Sequence, residues 1–119
     1  MRIREMERGD AEQVATLATE LGYALAVEIV EASFDAIAQR HQEHAAFVAD
    51  TWDSLVGWVH VYGIHTIAGE PYAEVSALVV GSAMRRRGFG RALMHAAEEW
   101  AHRHAYPKLR LRSGLQREQ

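Results

Sequence analysis

Three consecutive apolar β-formers, Leu78-Val79-Val80, are followed after Gly81 to Met84 by the basic run Arg85-Arg86-Arg87-Gly88-Phe89-Gly90-Arg91. This order reads as a buried strand, a short turn, and a glycine-containing loop that opens a helix. Such a segment builds an anion site. The first N–H groups of a helix have no intrahelical partner, and the dipole at that end favours negative charge. Gly88 and Gly90 let a ligand approach the backbone and tolerate unusual dihedrals. The arginines add planar, forked donors suited to phosphate.

Two phosphate-binding motifs are excluded by residue identity. A dinucleotide-binding loop needs a third glycine where Leu93 stands, and an acidic residue about 20 positions on, where Lys108 to Arg112 is basic. A P-loop needs Gly-Lys-Ser/Thr, and no such triplet follows. A solvated basic helix start is the alternative reading of the same residues.

The chain has 119 residues, enough for one domain with a single core. Hydrophobic residues make up 49% and charged residues 24%, an ordinary globular balance. A net charge of −3 argues against a general nucleic-acid binder, because the basic cluster is local. No stretch approaches the length of an apolar membrane span, and Met1-Arg2-Ile3-Arg4-Glu5 carries no signal core, so neither membrane nor export is expected and the default location is the cytoplasm. The absence of cysteine removes a thiol nucleophile, disulfides and thiolate metal sites.

The spacing of apolar residues predicts a mixed α/β (α+β) fold. Ile3 to Met6 forms a first strand. Asp10, with Gln13 three positions later, reads as a capping box for a helix carrying Val14, Leu17, Ala18 and Leu21, closed by Gly22. A second helix covers Val27 to about His41, with Val30, Phe34, Ile37 and Ala38 buried. Strands follow at Ala46–Ala49, Leu55–Tyr62 and Tyr72–Val80. A long helix from about Gly88 to His104 places Leu93, Ala96, Ala97, Trp100 and Ala101 on one stripe, and Leu109–Leu111 starts a last strand.

The run from Leu78 through Arg85-x-x-Gly88-x-Gly90 to Ala92-Leu93 resembles the acetyl-CoA-binding motif of the GNAT superfamily of N-acetyltransferases, Q/R-x-x-G-x-G/A at this distance from a hydrophobic strand. The resemblance runs from Ile3-Arg4 to Leu109-Arg110-Leu111-Arg112. It implies a single domain over 1–119 with a mainly antiparallel mixed sheet, two N-terminal helices and a central strand–helix–strand crossover. It implies acetyl-CoA as cosubstrate and an amine, free or on a protein, as acceptor. A non-catalytic acyl-CoA-binding module is the rival reading. By the same resemblance the cofactor lies on Arg85, Arg86, Arg87, Gly88, Phe89, Gly90 and Arg91, and along the backbones of Leu78, Val79 and Val80. The N–H of Val80 is then the group that polarises the thioester carbonyl.

Glu74 is the candidate general base. It precedes Arg85 by eleven positions, the offset of a catalytic glutamate in some histone-acetylating members, and strict alternation would place Tyr72, Glu74, Ser76 and Leu78 on one face. An ordered water chain is the family's other solution. A further resemblance-based expectation concerns the end of the chain. GNAT domains continue with a helix, often bearing a tyrosine acid, and a closing hairpin, whereas Ser113 to Gln119 reaches only the start of that helix. A C-terminally incomplete domain, covered by a second copy in a homodimer, is therefore expected, and Tyr106 does not substitute for that acid. No metal site is expected: His41 and His44 read as a surface pair. His60 and His65 read as structural residues near the middle strands that can also line an acceptor pocket. Tyr23 and Tyr62 are weaker candidates for that cleft, and the tryptophans read as packing.

Overall fold

The computed structural model describes residues 1–112. Its first strand is β1 (Arg2–Glu5), followed by a 3₁₀ turn at Arg8–Asp10 and the helices α1 (Ala11–Glu20) and α2 (Val27–Ala38). Then come β2 (His44–Asp50), β3 (Leu55–Ile64), β4 (Tyr72–Val80), a 3₁₀ turn at Ser82–Met84, α3 (Phe89–Arg103) and β5 (Leu109–Leu111). The five strands form one sheet in chain order, with β5 alone pairing parallel, to β4. The expected mixed sheet with two early helices and a strand–helix–strand crossover is what the chain forms. The helix expected to begin after Leu111 lies outside the described residues.

The sheet is covered on both faces. On one side, Leu93, Ala97, Trp100 and Ala101 of α3 pack against Phe47, Val59, Val61, Val75, Leu78 and Val80. On the other, Ala11, Val14, Ala15 and Leu17 of α1 and Val30 of α2 pack against Val48, Leu55 and Val79. The α3 stripe follows the expected helical spacing, and its outer face is polar, with His95 and Glu99 3.3 Å apart one turn on.

Helix ends are set by local chemistry. Gly22 adopts φ +91° and closes α1, with its N–H and that of Tyr23 donating to the carbonyls of Thr19 and Ala18. The expected Asp10/Gln13 capping box does not form. Glu7 and Asp10 make one a turn earlier, while Gln13 Oε1 accepts from the Leu55 N–H at 2.8 Å. Asp10 is occupied because Arg4 grips both its oxygens, at 2.9 and 3.0 Å, and reaches Asp50 at 2.9 Å. α2 stops at Ala38, short of His41, and only Val30 on it is fully buried; Ala38 is exposed and Phe34 and Ile37 are half-buried. His41 thus stands in a turn and His44 on β2, so the two do not share a helix face.

Candidate active site

β4 changes character along its length. From Ala73 to Val75 it pairs with both β3 and β5, the Ala73 N–H donating to Lys108 and the Val75 carbonyl accepting from Arg112. Past Val75 no strand lies on the β5 side among the described residues. At the same point the pairing with β3 slips, from Val61 opposite Val75 to His60 opposite Ala77, which leaves Ser76 as an inserted residue, a β-bulge.

The bulge overturns the expected alternation. Ala73, Val75, Leu78 and Val80 all face α3, whereas Val79 faces α1. Glu74 therefore does not share a face with Leu78; it looks to the α1/α2 side with Tyr62, its partner on β3. The backbone shifts phase as well. The Gly81 N–H donates to Val56 at 2.8 Å, so by antiparallel alternation Val79 bonds toward β3, while Leu78 and Val80 turn their N–H and carbonyl groups to the open side. Of the three strand backbones expected to meet a ligand, two are available to it.

The open edge leads to the start of α3. Gly88 is the N-cap at φ +84°, a left-handed conformation that favours glycine, and a Cβ there would meet nothing within 4 Å. Among the described residues no side chain caps the helix, and its first internal bond runs from the Ala92 N–H to the Gly88 carbonyl. The N–H groups of Phe89, Gly90 and Arg91 thus precede any intrahelical bond. Gly90 is buried and Phe89 half-buried; Arg86, Arg87 and Arg91 are exposed and Arg85 half-buried. Arg86 also has a positive φ, +66°, which bends the chain between the arginines and the helix.

On the α1/α2 face, Glu74 begins a polar row across the sheet. The Tyr62 hydroxyl donates to Glu74 Oε2 at 2.8 Å, and this hydrogen bond raises the Tyr62 pKa above its usual value. The Tyr62 ring stacks on His60 at 5.5 Å between centroids, and His60 Nε2 lies 3.1 Å from His44 Nδ1. Burial, with His44 beside it, pushes the His60 pKa down to about 4, so the imidazole is neutral near pH 7. His44 is lowered for the same first reason. Tyr62 and His60 come together here with Glu74. Tyr23 is 54% exposed, and His65 meets the Tyr106 hydroxyl at 3.3 Å. Among the described residues no group of three or more His, Cys, Asp or Glu is placed to hold a metal ion. No described helix is long and apolar enough to cross a membrane.

The bulge and an apolar cavity beneath α2 escape sequence reading, as does Gly57. A Cβ at Gly57 would lie 2.8 Å from the Val79 carbonyl oxygen, so glycine is what lets β3 sit against β4 beside the open edge.

Comparison with known proteins agrees with this architecture. The sequence profile of the acetyltransferase (GNAT) family matches residues 11–117. A GNAT family acetyltransferase from Staphylococcus aureus superposes with a TM-score of 0.79 at 21% identity, covering 95% of this chain and 86% of that one. Glucosamine-6-phosphate N-acetyltransferase from Arabidopsis thaliana gives 0.81 at 17%, covering 95% and 82%. An aminoglycoside N-acetyltransferase crystallised in complex with CoA gives 0.79 at 18%, covering 95% and 76%. No curated protein matches the sequence.

Proposed function

The chain belongs to the acetyltransferase (GNAT) family, and from that premise we propose that it moves an acetyl group from acetyl-CoA directly to an amine. The observation that carries this reading is the continuity, among the described residues, between the unpaired edge of β4 after Val75 and the uncapped start of α3. An extended pantetheine arm needs backbone donors along a free strand edge, and a pyrophosphate needs unpaired N–H groups and cations beyond it. Both are supplied in that order by Leu78, Val80, Gly88, Phe89, Gly90 and the arginines Arg85, Arg86, Arg87 and Arg91. With no cysteine in the chain, no thiol is available to carry the acyl group, and transfer is direct.

Bound acetyl-CoA supplies the acyl group as an activated thioester. Glu74, held by Tyr62, accepts through bridging water the proton that the amine sheds as it attacks; the C–S bond then breaks, and CoA leaves as a thiolate that takes a proton from solvent. The N–H that polarises the carbonyl must lie near Glu74. Val80 is six residues beyond it, roughly 20 Å of extended strand, whereas Leu78 is four residues away, roughly 13 Å before the bulge shortens the path. We therefore assign the carbonyl to the Leu78 N–H and the pantetheine arm to that of Val80, in place of the sequence-based assignment to Val80. Preorganised donors at a developing oxyanion are worth more than in water.

The reading extends to assembly and place. β5 ends the sheet order with no strand beyond it among the described residues, and an uncovered edge of this kind pairs readily with a second copy. A homodimer in the cytoplasm is the proposed state, and light scattering of the purified protein tests the dimer. The activity test is release of free CoA from acetyl-CoA across a panel of amines, with thermal melts alongside. Acetyl-CoA at 100 times its dissociation constant should add about 2.7 kcal/mol to the native state. No stabilisation refutes cofactor binding. Stabilisation with no amine-dependent CoA release identifies a binding module instead of an enzyme.

A further inference from the structure

Beneath α2 lies a cavity of about 140 Å³, between that helix and the α1/α2 face of β2 and β3. Val14, Ile29, Phe34, Ile37 and Trp58 line it, and so does His60. Ile29 is 56% exposed, so the cavity is open to solvent on the α2 side. α2 buries only Val30 fully, which is why space remains under its half-buried Phe34 and Ile37.

Three features tie this cavity to the reacting groups. It lies on the face of the sheet to which Glu74 points. His60, part of its lining, stacks on Tyr62, and Tyr62 bonds Glu74 at 2.8 Å, so a continuous floor runs from cavity to carboxylate. The two helices pack elsewhere, α1 over Val79 and α2 along the cavity, and Glu74 and Tyr62 are left half-buried.

The geometry points to an acceptor that is an apolar primary amine: an aromatic or branched aliphatic group seats in the cavity, and a short chain carries the amino group across His60 and Tyr62 to Glu74. This rests on the acetyl-transfer reading of the site and adds the substrate class. The size fits one ring, since an apolar cavity of about 150 Å³ holds benzene. The largely apolar lining disfavours a polyhydroxylated acceptor, most of whose hydroxyls would face Val14, Phe34 and Ile37, a cost that an apolar group avoids. The amino-sugar and aminoglycoside acceptors named for the structural neighbours therefore do not carry over. His60 is neutral near pH 7 and does not repel an incoming ammonium.

The test compares 2-phenylethylamine with ethylamine, by calorimetry on the protein alone and by kcat/KM with acetyl-CoA. The expected dissociation constant for 2-phenylethylamine is at least tenfold below that for ethylamine, and kcat/KM is at least tenfold higher. Ala46 on β2 and Ser33 on α2 also line the cavity: Ala46→Leu should shrink both ratios at least fivefold, and Ser33→Leu does so from α2 if the first variant does not fold. Equal binding and equal rates for the two amines overturn the inference even where acetyl transfer proceeds. Ring-selective binding with transfer to neither amine refutes the acetyl-transfer reading instead, because the calorimetry needs no acetyl-CoA.

Discussion

Gly57→Ala inserts a wedge where the fold has least room. Gly57 is buried in β3 opposite Val80, and an added Cβ would lie 2.8 Å from the Val79 carbonyl oxygen and 3.0 Å from Leu93 Cδ1. Leu93 is fully buried and the other neighbour is backbone, so neither yields without moving β4 or α3. Overpacking of this kind costs about 1–3 kcal/mol. At about 4 °C per kcal/mol for a chain of this size, the melting temperature should fall by about 4–12 °C. The displaced strand is also the one whose Leu78 and Val80 N–H groups face the open edge, so CoA affinity should fall by about tenfold, or about 1.4 kcal/mol. Gly9→Ala is the control. Nothing lies within 4 Å of its added Cβ and its φ is not positive, so the change should be neutral or stabilise by up to about 1 kcal/mol. Thermal melts of both variants with and without CoA read the two effects separately. A Gly57→Ala protein melting within about 1 °C of the parent would refute the steric argument. One that melts lower yet keeps its full CoA-induced stabilisation would refute the link between strand position and binding.

Gly88→Asp places a carboxylate at the uncapped start of α3 and should abolish stabilisation by CoA in a folded protein; unchanged affinity would show that the phosphate site lies elsewhere. Glu74→Gln should lower kcat at neutral pH by about a hundredfold with CoA affinity unchanged, and an unaltered pH–rate profile would remove Glu74 as the base. His60 takes up a proton at about pH 4 when folded but near 6.5 when unfolded, so the unfolded chain binds more protons between those values and stability should drop on acidification across that window, by on the order of 3 kcal/mol. His44 adds in the same direction, and urea midpoints of His60→Gln between pH 7 and 4.5 should show a flatter slope than the parent. Below about pH 4 a second loss should follow. Burial alone would raise Asp10, but Arg4 and the Glu7 N–H more than offset it, while the Trp52 N–H and Arg4 lower Asp50; both carboxyls favour the fold until pH falls through their depressed values.

Features set by neighbours along the chain are legible in the sequence. The Arg85 to Arg91 loop, Gly22 as a left-handed helix end, and the Leu93, Ala97, Trp100 stripe all follow from composition at fixed short spacing, and the structure forms each of them. Features set by distant partners are not. Asp10 looks like an N-cap until Arg4 and Glu7 are seen to occupy it. The end of α2 has no glycine or proline to mark it; the chain turns at Gln39 to bring His44 alongside Tyr62. Gly63 lies just past the expected strand end at Tyr62, yet a Cβ there would collide with the hydroxyl of Tyr106, 43 positions further along the chain.

The bulge at Ser76 is the most consequential of these hidden features, because it sets phase on both sides of itself. Before it, Ala73 and Val75 turn their backbone groups to β5; with uninterrupted alternation Ala77 and Val79 would do the same, and Leu78 and Val80 would bond to β3. One inserted residue reverses that. It gives Leu78 and Val80 to the open edge, and keeps their side chains on the α3 face that Val75 already occupies. It also lets Glu74 point to the opposite face, toward Tyr62, while its own strand continues into the open edge. A carboxylate on one face and backbone donors on the edge, a few residues apart on one strand, require a change of phase between them. Nothing in Glu74-Val75-Ser76-Ala77-Leu78 announces it, since no glycine or proline marks the insertion. The insertion exists only in the register against Val61 and His60, and so the site's chemistry is encoded in how two strands meet.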